Sequence, residues 1–218
     1  MPLTLHMHPL SSYCWKVLIA LYENDTPFEA HVLDLSDPAV VAAFKALWPT
    51  TKMPLLRDTA QDRTVPETSI IIEYLQGAYP GPIRFIPDDP AAALRTRLMD
   101  RLFDLYVMTP MQAIVADRIR PPGVAKDPHG VAQARAKLAM AYDMLEAELA
   151  GRTWAAGEDF GLADCAAAPA LFYANKLAPL GEDHPNVSAY LARLLARPSF
   201  TRVLQEAEPY FAMFPAGD

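Results

Sequence analysis

The stretch LTLHMHPLSSYCWKVLIALYE, residues 3–23, decides which fold this chain begins with. Its first five residues alternate between apolar Leu3, Leu5 and Met7 and polar side chains, which is the period of a β-strand. From residue 14 onward the apolar positions follow the i, i+3, i+4, i+7 spacing of a helix face, namely Cys14, Val17, Leu18 and Leu21. A loop with small or reactive side chains, SSYC at residues 11–14, therefore joins a strand to a helix, and such loops are places where proteins contact ligands.

The next segments extend this unit into a small α/β domain. EAHVLDL (29–35) is predicted to form a second strand, and residues 37–47 a helix with Pro38 in its first position. MPLLRD and RTVPE flank the polar segment DTAQD and predict a hairpin, and ETSIIIEYLQGAY (67–79) predicts a third helix. Two strands joined by a helix are parallel, so the order predicts a mixed sheet with helices packed against it.

Five prolines and glycines fall between residues 80 and 90, a density that neither a helix nor a central strand tolerates. We therefore divide the chain into an α/β domain at 1–79, a linker at 80–90 and an all-helical domain at 91–218. No strand pattern recurs after the linker. The predicted helices of the second domain span 91–118, 131–150, 162–177, 186–196 and 199–207.

Composition and charge limit the classes of protein to which this chain can belong. Of the 218 residues, 52% are hydrophobic and 21% are charged, as in an ordinary globular protein. The 19 Lys and Arg residues against 26 Asp and Glu give a net charge of −7 without a basic run, which argues against nucleic acid or an anionic membrane as a partner. The start MPLTLHMH lacks the pattern of a secretory signal, and no apolar run approaches ~18 residues, so we expect a cytoplasmic protein.

The two cysteines, Cys14 and Cys165, are too few for a disulfide framework and lack the paired spacing of a zinc site. We expect both to be thiols in a reducing compartment, and we predict no metal site. Because Cys14 falls on the apolar stripe of the first helix, we expect it to be buried and unreactive.

Four segments together resemble the soluble glutathione S-transferase family. KMPLLRD resembles the family's Val/Met-Pro-hydrophobic segment, and ETSIIIEYL its Glu-Ser-x-Ala-Ile-x-x-Tyr-Leu helix start. GLADCAAAPAL is similar to the family's Ser/Thr-x-x-Asp helix, and SSYCWKVLIAL to the serine-type classes, the zeta class especially. The resemblance covers nearly the whole chain. It implies a thioredoxin-like α/β N-terminal domain followed by an all-α C-terminal domain.

The resemblance also implies where glutathione, the family's cosubstrate, would bind. Pro54 would be cis, so that the backbone of Met53 meets the peptide, and Lys52 would face the glycyl carboxylate. Glu67 and Thr68 would hold the γ-glutamyl end. From the residues alone two alternatives remain, an ordinary trans proline at the start of a strand and simple capping of the third helix.

Ser11 is the residue that we expect to activate the glutathione sulfur, by donating a hydrogen bond that favours thiolate over thiol, with Ser12 as a second donor. A redox alternative follows from the likeness of SSYC to the Cys-Pro-Tyr-Cys of glutaredoxins, with Cys14 in the resolving position. A further alternative is that Ser11 only caps the helix.

The resemblance also implies an electrophile pocket built from the first loop, the helix after the linker and often the tail. The expected lining residues are Leu10, Tyr106, Met108 and Met111, together with the tail aromatics Tyr210, Phe211 and Phe214.

Two departures from the family pattern stand out. Gly161 occupies the position of the Ser or Thr that would cap the helix reciprocally with Asp164, so half of the capping box is missing. We expect Gly161→Ser to restore that box. Trp48 and Thr51 stand where the family often has Asn and Gly, which alters the glycine side of the cleft.

The resemblance implies a homodimeric, cytoplasmic glutathione transferase of the detoxification type, acting on a small apolar electrophile. Three alternatives stay open: a glutathione-dependent isomerase of a dicarboxylate, a disulfide reductase, and a non-catalytic binding protein with this fold.

Overall fold

The computed structural model describes residues 1–215, and its first part is a four-stranded sheet with three helices. The sequence predicted each of these elements. In chain order they are β1 (Leu3–Met7), α1 (Ser12–Glu23), β2 (Glu29–Val32), α2 (Pro38–Leu47), β3 (Leu55–Asp58), β4 (Arg63–Pro66) and α3 (Thr68–Ala78).

The sheet has the strand order β2-β1-β3-β4. β1 pairs with β2 in parallel, with Leu5 opposite Ala30, because α1 carries the chain back between them. β1 and β3 are antiparallel, as are β3 and β4, which form the predicted hairpin. This is the mixed sheet that the sequence predicted.

Among the described residues, the second part contains helices joined by turns and no strand. Its elements are α4 (Pro90–Leu102), a π-helical segment (Phe103–Met108), α5 (Thr109–Arg118), α6 (Pro128–Glu148), α7 (Leu162–Leu177), α8 (Pro185–Leu195), α9 (Pro198–Ala207) and a 3-10 segment (Glu208–Met213). Residues 79–89 form neither helix nor strand and connect α3 to α4. One hydrophobic cluster runs through both parts of the chain, and the division into domains at 80–90 stays a prediction.

α1 lies at the centre of the molecule, against α3, α7 and α9. Trp15 is fully buried there, donates from Nε1 to the carbonyl of Pro9 at 2.5 Å, and contacts the rings of Phe172, Tyr173 and Phe200. Because partners cover several of its faces, α1 is buried well beyond its apolar stripe. The loop that precedes α1 is thereby fixed against the helical part.

Two of the differences between predicted and observed elements have a clear physical cause. β2 ends at Val32 rather than residue 35, because the Asp34 carboxylate accepts from both the backbone and the hydroxyl of Ser36 and turns the chain. The predicted helix 91–118 contains the π-helical segment. Pro110 has no N–H for the ordinary helical bond, and the preceding Thr109 N–H instead bonds to the carbonyl of Asp104.

The expectation for Gly161→Ser is wrong. Asp164 does accept from the Gly161 N–H at 2.8 Å, so the carboxylate half of the box is present. A Cβ at residue 161, however, would lie 2.7 Å from the carbonyl oxygen of Phe85. Gly161 has φ −154°, so close approach of another backbone, and not a left-handed conformation, is the reason for glycine here.

Candidate functional site

The amino end of α1 is built to accept negative charge. Ser11 is the N-cap residue, and its Oγ accepts from the Cys14 N–H at 3.4 Å. Trp15 makes the first intrahelical bond to the Ser11 carbonyl, so the N–H groups of Ser12 and Tyr13 have no acceptor within the helix. Free N–H groups and the helix dipole both favour an anion at this end.

Capping leaves the Ser11 hydroxyl chemically available. The bond from Cys14 uses a lone pair of Oγ, and the hydroxyl proton can still be donated to another acceptor. Ser12 is buried, and no described residue forms a hydrogen bond with its hydroxyl. The structure therefore shows that Ser11 caps α1, and this role is compatible with donation to a ligand.

Ser11 and Ser12 open onto a cavity of about 260 Å³, which we call the serine cavity. Its walls come from the loop before α1, from α5, from α7 and from the chain end. They are Leu10, Ser11 and Ser12; Met111, Gln112, Val115 and Ile119; Tyr173; and Met213, Phe214 and Pro215. None of these lining residues carries a charge.

A second cavity, of about 290 Å³, lies beside the carboxyl end of α2 and the start of α3, and we call it the peptide cavity. Five of the six residues predicted to bind glutathione line it: Lys52, Met53, Pro54, Glu67 and Thr68. The sixth, Ser11, lines the serine cavity instead. Tyr13 also lines it. Since Tyr13 directly follows Ser12, the amino end of α1 lies between the two cavities.

Glu67 has a backbone conformation that non-glycine residues rarely adopt, with φ 66° and ψ 120°. It precedes α3, and its side chain makes no capping hydrogen bond. The first turn of α3 is thus left without a side-chain cap, at the wall of the peptide cavity. Strain of this kind persists where the surrounding structure enforces it, commonly at ligand sites.

The Met53-Pro54 peptide bond is cis, as the resemblance implied. Two residues earlier, Thr51 has φ 54°, in the left-handed region that favours glycine. Gly, which the family often has at that position, adopts this region without a steric penalty. Trp48, the other residue that departs from the family pattern in this segment, lies in the wall of the peptide cavity.

A buried charge network adjoins the peptide cavity, and sequence analysis missed it. Lys16 is fully buried, and its ammonium lies 2.5 Å from Asp100 and 2.8 Å from Asp104. It also donates to the Ser69 hydroxyl at 3.0 Å. Arg101 bridges the same two carboxylates from the surface and lines the cavity with Asp104. The network links α1 and α3 to the helical part.

Both cysteines are buried free thiols. Burial raises the pKa of Cys14 to about 11, against the smaller opposing effects of the Ser11 side chain and the His8 backbone. Burial also raises the pKa of Cys165 well above its usual range. Neither thiol has the low pKa and exposure of a redox-active cysteine, which confirms the expectation that Cys14 is buried.

Tyr13, which lines the peptide cavity, is a neutral phenol. Burial, followed by the charge of Asp104, raises its pKa to about 12. A phenol with a raised pKa donates a hydrogen bond rather than carrying charge.

The residues predicted for the electrophile pocket are distributed over several places. Leu10, Met111 and Phe214 line the serine cavity. Met108 is fully buried in the core and Tyr106 is half exposed, and the structure does not bring either to that cavity. Of the other tail aromatics, Tyr210 contacts His8, and Phe211 packs on Trp15 and Phe172. Sequence analysis missed Gln112, Val115 and Tyr173, which only the packing of α5 and α7 brings to the serine cavity.

Within residues 1–215, no group of three or more His, Cys, Asp or Glu side chains is arranged to hold a metal ion. In the same part of the chain, no helix is both long and apolar enough to cross a membrane.

Both parts of the chain match domains of a known protein family. Residues 5–83 match the glutathione S-transferase N-terminal domain, and residues 100–198 match the glutathione S-transferase C-terminal domain. The chain belongs to the glutathione S-transferase family. The family and the two-part fold predicted from the sequence are confirmed, and the predicted enzyme class, a glutathione S-transferase with glutathione as cosubstrate, follows from this membership.

Relatives within the glutathione S-transferase family are distant but match over most of the chain. Glutathione S-transferase GstB of Escherichia coli K12 is 27% identical over 87% of this chain and 91% of its own length. The glutathione S-transferase-like protein LUC7 of Fusarium sp. is 31% identical over 73% of this chain and 72% of its own. A glutathione S-transferase from Methylobacillus flagellatus KT, solved with glutathione bound, superposes with a TM-score of 0.81 at 26% identity, covering 92% of this chain and 98% of that one.

Proposed function

We propose that this glutathione S-transferase holds glutathione in the peptide cavity and activates its sulfur through Ser11. The observation that carries the proposal is the convergence of two separate segments, 52–54 and 67–68, on one cavity next to the amino end of α1. Residues far apart in the sequence, which the resemblance to the family assigned to glutathione, line one cavity together. The sulfur of a peptide held there would lie by the serine pair.

The charges of the peptide cavity complement those of glutathione, which has two carboxylates and one ammonium group. Lys52 and Arg101 supply cationic side chains, and Glu67 and Asp104 supply anionic ones. The uncapped first turn of α3, with the Thr68 hydroxyl, suits the γ-glutamyl carboxylate. Glu67 then faces the ammonium group, and Lys52 the glycyl carboxylate.

Activation of the sulfur requires a lowered thiol pKa. A free thiol has a pKa of about 8.5, and lowering this value by two units takes about 2.7 kcal/mol. A hydrogen bond from the Ser11 hydroxyl, together with the free N–H groups of Ser12 and Tyr13, supplies stabilisation of this order. The thiol proton leaves to water. The sulfur electron pair then forms the bond to the electrophilic carbon, and the leaving group departs with its bonding pair.

The structure disfavours two of the alternative activities, disulfide reduction and dicarboxylate isomerisation. A disulfide reductase needs a reactive cysteine, and burial makes Cys14 unreactive. A dicarboxylate isomerase needs cations for its substrate, and no described residue of the serine cavity is charged. Turnover of an electrophile would distinguish the transferase from a non-catalytic binding protein.

A homodimer is part of the proposal, and the surface offers a face for it. Leu94 and Leu98 of α4 are exposed, at 71% and 49%, and so is Leu105 of the π-helical segment, at 53%. Leu94 and Leu98 are four residues apart and therefore lie on one side of α4. Ile70 of α3 is also exposed, and the Arg97–Glu73 ion pair joins the two helices. An apolar stripe of this kind is typical of a surface covered by a second copy.

We also propose a cytoplasmic location and a detoxification role. Two free thiols support the location, because thiols stay reduced in a reducing compartment.

Calorimetric titration with glutathione tests the proposal. We expect one saturable site per chain, weakened by Glu67→Gln and by Lys52→Met, with Lys137→Met on the exposed face of α6 as a control that binds like the wild type. Absence of saturable binding would overturn the proposal. Binding without turnover of an activated aryl halide would support the non-catalytic alternative instead.

A further inference from the structure

The serine cavity has a polar residue that no step of the proposed function uses. Gln112 lies in the first turn of α5, and Val115 and Ile119 continue the same face of that helix along the cavity wall. The Gln112 side chain is exposed, and its amide forms no hydrogen bond with any described residue. Both its NH₂ donors and its carbonyl acceptor are therefore free.

The remaining polar groups of the cavity are already assigned. Ser11 caps α1 and faces the proposed sulfur position, together with Ser12. The Tyr173 hydroxyl donates to the Leu10 carbonyl at 2.9 Å. Among the described lining residues, Gln112 is thus the side chain with unused donors away from the serines.

The rest of the wall determines what kind of molecule fits. Ten lining residues are neutral besides Gln112, and most are apolar, so a charged electrophile would lose its hydration without gaining a counter-ion. A volume of about 260 Å³ lies below the usual range of pockets for drug-sized ligands and suits a smaller molecule, such as a single-ring compound.

We propose that Gln112 is a specificity-determining residue, whose side-chain NH₂ donates a hydrogen bond to an acceptor group on the electrophile. The favoured substrates are neutral, single-ring electrophiles with a nitro or carbonyl oxygen remote from the reacting carbon. Gln112 belongs to α5 and the serines to the loop and start of α1, so one ligand that fills the cavity contacts both. This inference rests on the proposed function.

Binding of two conjugates that differ by one acceptor group tests the inference without turnover. The probes are S-benzylglutathione and S-(4-nitrobenzyl)glutathione, titrated by calorimetry into the wild type, Gln112→Leu and Gln133→Leu. Gln133 lies exposed on α6 and is the matched control. We expect the preference for the nitro conjugate to fall about threefold to tenfold in Gln112→Leu and to be unchanged in Gln133→Leu, because one neutral hydrogen bond is lost.

Gln112→Asn, which keeps the amide, should retain part of the preference. An unchanged ratio of the two affinities in Gln112→Leu, with glutathione itself still bound, would overturn this inference alone. Failure of the wild type to bind glutathione would overturn the proposed function and this inference with it.

Discussion

The ammonium group of Lys16 lies 2.5 Å from the carboxylate of Asp100, and both side chains are buried. Lys16 belongs to α1, and Asp100 to α4 of the helical part. Asp104 and Ser69 complete the coordination of the ammonium. A buried cation held by two carboxylates is well satisfied, but each partner becomes costly once the others are removed.

Lys16→Met should destabilise the protein by up to about 3–5 kcal/mol, because the two buried carboxylates would then share only the half-exposed Arg101 as a counter-charge. Chemical denaturation would measure the free energy of unfolding. The control is Lys137→Met, which removes an exposed lysine from α6 and should change stability by less than about 0.5 kcal/mol. Equal stability of the two variants would contradict this account of Lys16.

Sequence patterns predicted the local elements well because strands and helices follow periods of two and 3.6 residues. They could not predict the burial of Lys16. Its carboxylate partner Asp104 lies 88 residues away, and the apolar stripe of α1 gave no sign that its other faces are covered too. Whether a charged side chain is buried depends on partners far away in the sequence, and a local pattern does not show them.

Gly161→Ser should destabilise the protein by about 1–3 kcal/mol, because the new Cβ would meet the Phe85 carbonyl oxygen at 2.7 Å. The Cβ and the Phe85 carbonyl are both fixed to the backbone, so neither can easily move away from the other. Gly157→Ser is the control, since no atom lies within 4 Å of its added Cβ. Thermal and chemical unfolding of the two variants would measure the difference, and a more stable Gly161→Ser protein would contradict the structural explanation.

His6 should make stability depend on pH. Its ring lies 4.8 Å from that of His31, and burial, followed by the charge of His31, lowers the pKa of His6 below 6.5. The unfolded chain therefore binds a proton at His6 that the folded chain resists, so this contribution is lost as pH falls below about 6.5. We expect the free energy of unfolding to decrease less between pH 7.5 and 5.5 in His6→Phe than in the wild type. The same pH dependence of stability in His6→Phe and in the wild type would contradict the assignment of this effect to His6.

Thr68→Ala should weaken glutathione binding by about 1–3 kcal/mol, because a carboxylate at the start of α3 would lose a charge-assisted hydrogen bond. Thr64→Ala, on the exposed strand β4, is the matched control and should bind like the wild type. Calorimetric titration measures the dissociation constant of glutathione for both variants. A dissociation constant unchanged by Thr68→Ala would show that this hydroxyl does not contact the peptide.

The candidate site was predicted in part. Residues 52–54 and 67–68 were found because turn and helix-start signals are local, and the resemblance gave them a role. Arg101 and Asp104 were missed because they carry no local signal. They reach the peptide cavity through long-range side-chain contacts, in which Asp100 and Asp104 meet Lys16 of α1 and Asp100 meets Ser69 of α3. Met108 was selected as an apolar residue on the correct helix, but sequence alone does not show which side of a helix faces a cavity and which the core.

The pKa of the glutathione thiol bound to the wild type and to Ser11→Ala tests the central claim most directly. Thiolate absorbance, followed against pH at saturating glutathione, gives that value, with Ser12→Ala and Cys14→Ser as controls. We predict a thiol pKa about two units below 8.5 in the wild type and a clear rise toward 8.5 in Ser11→Ala, with glutathione affinity nearly unchanged. A wild-type thiol pKa in Ser11→Ala, with the rise in Ser12→Ala or Cys14→Ser instead, would contradict the claim that Ser11 activates the sulfur.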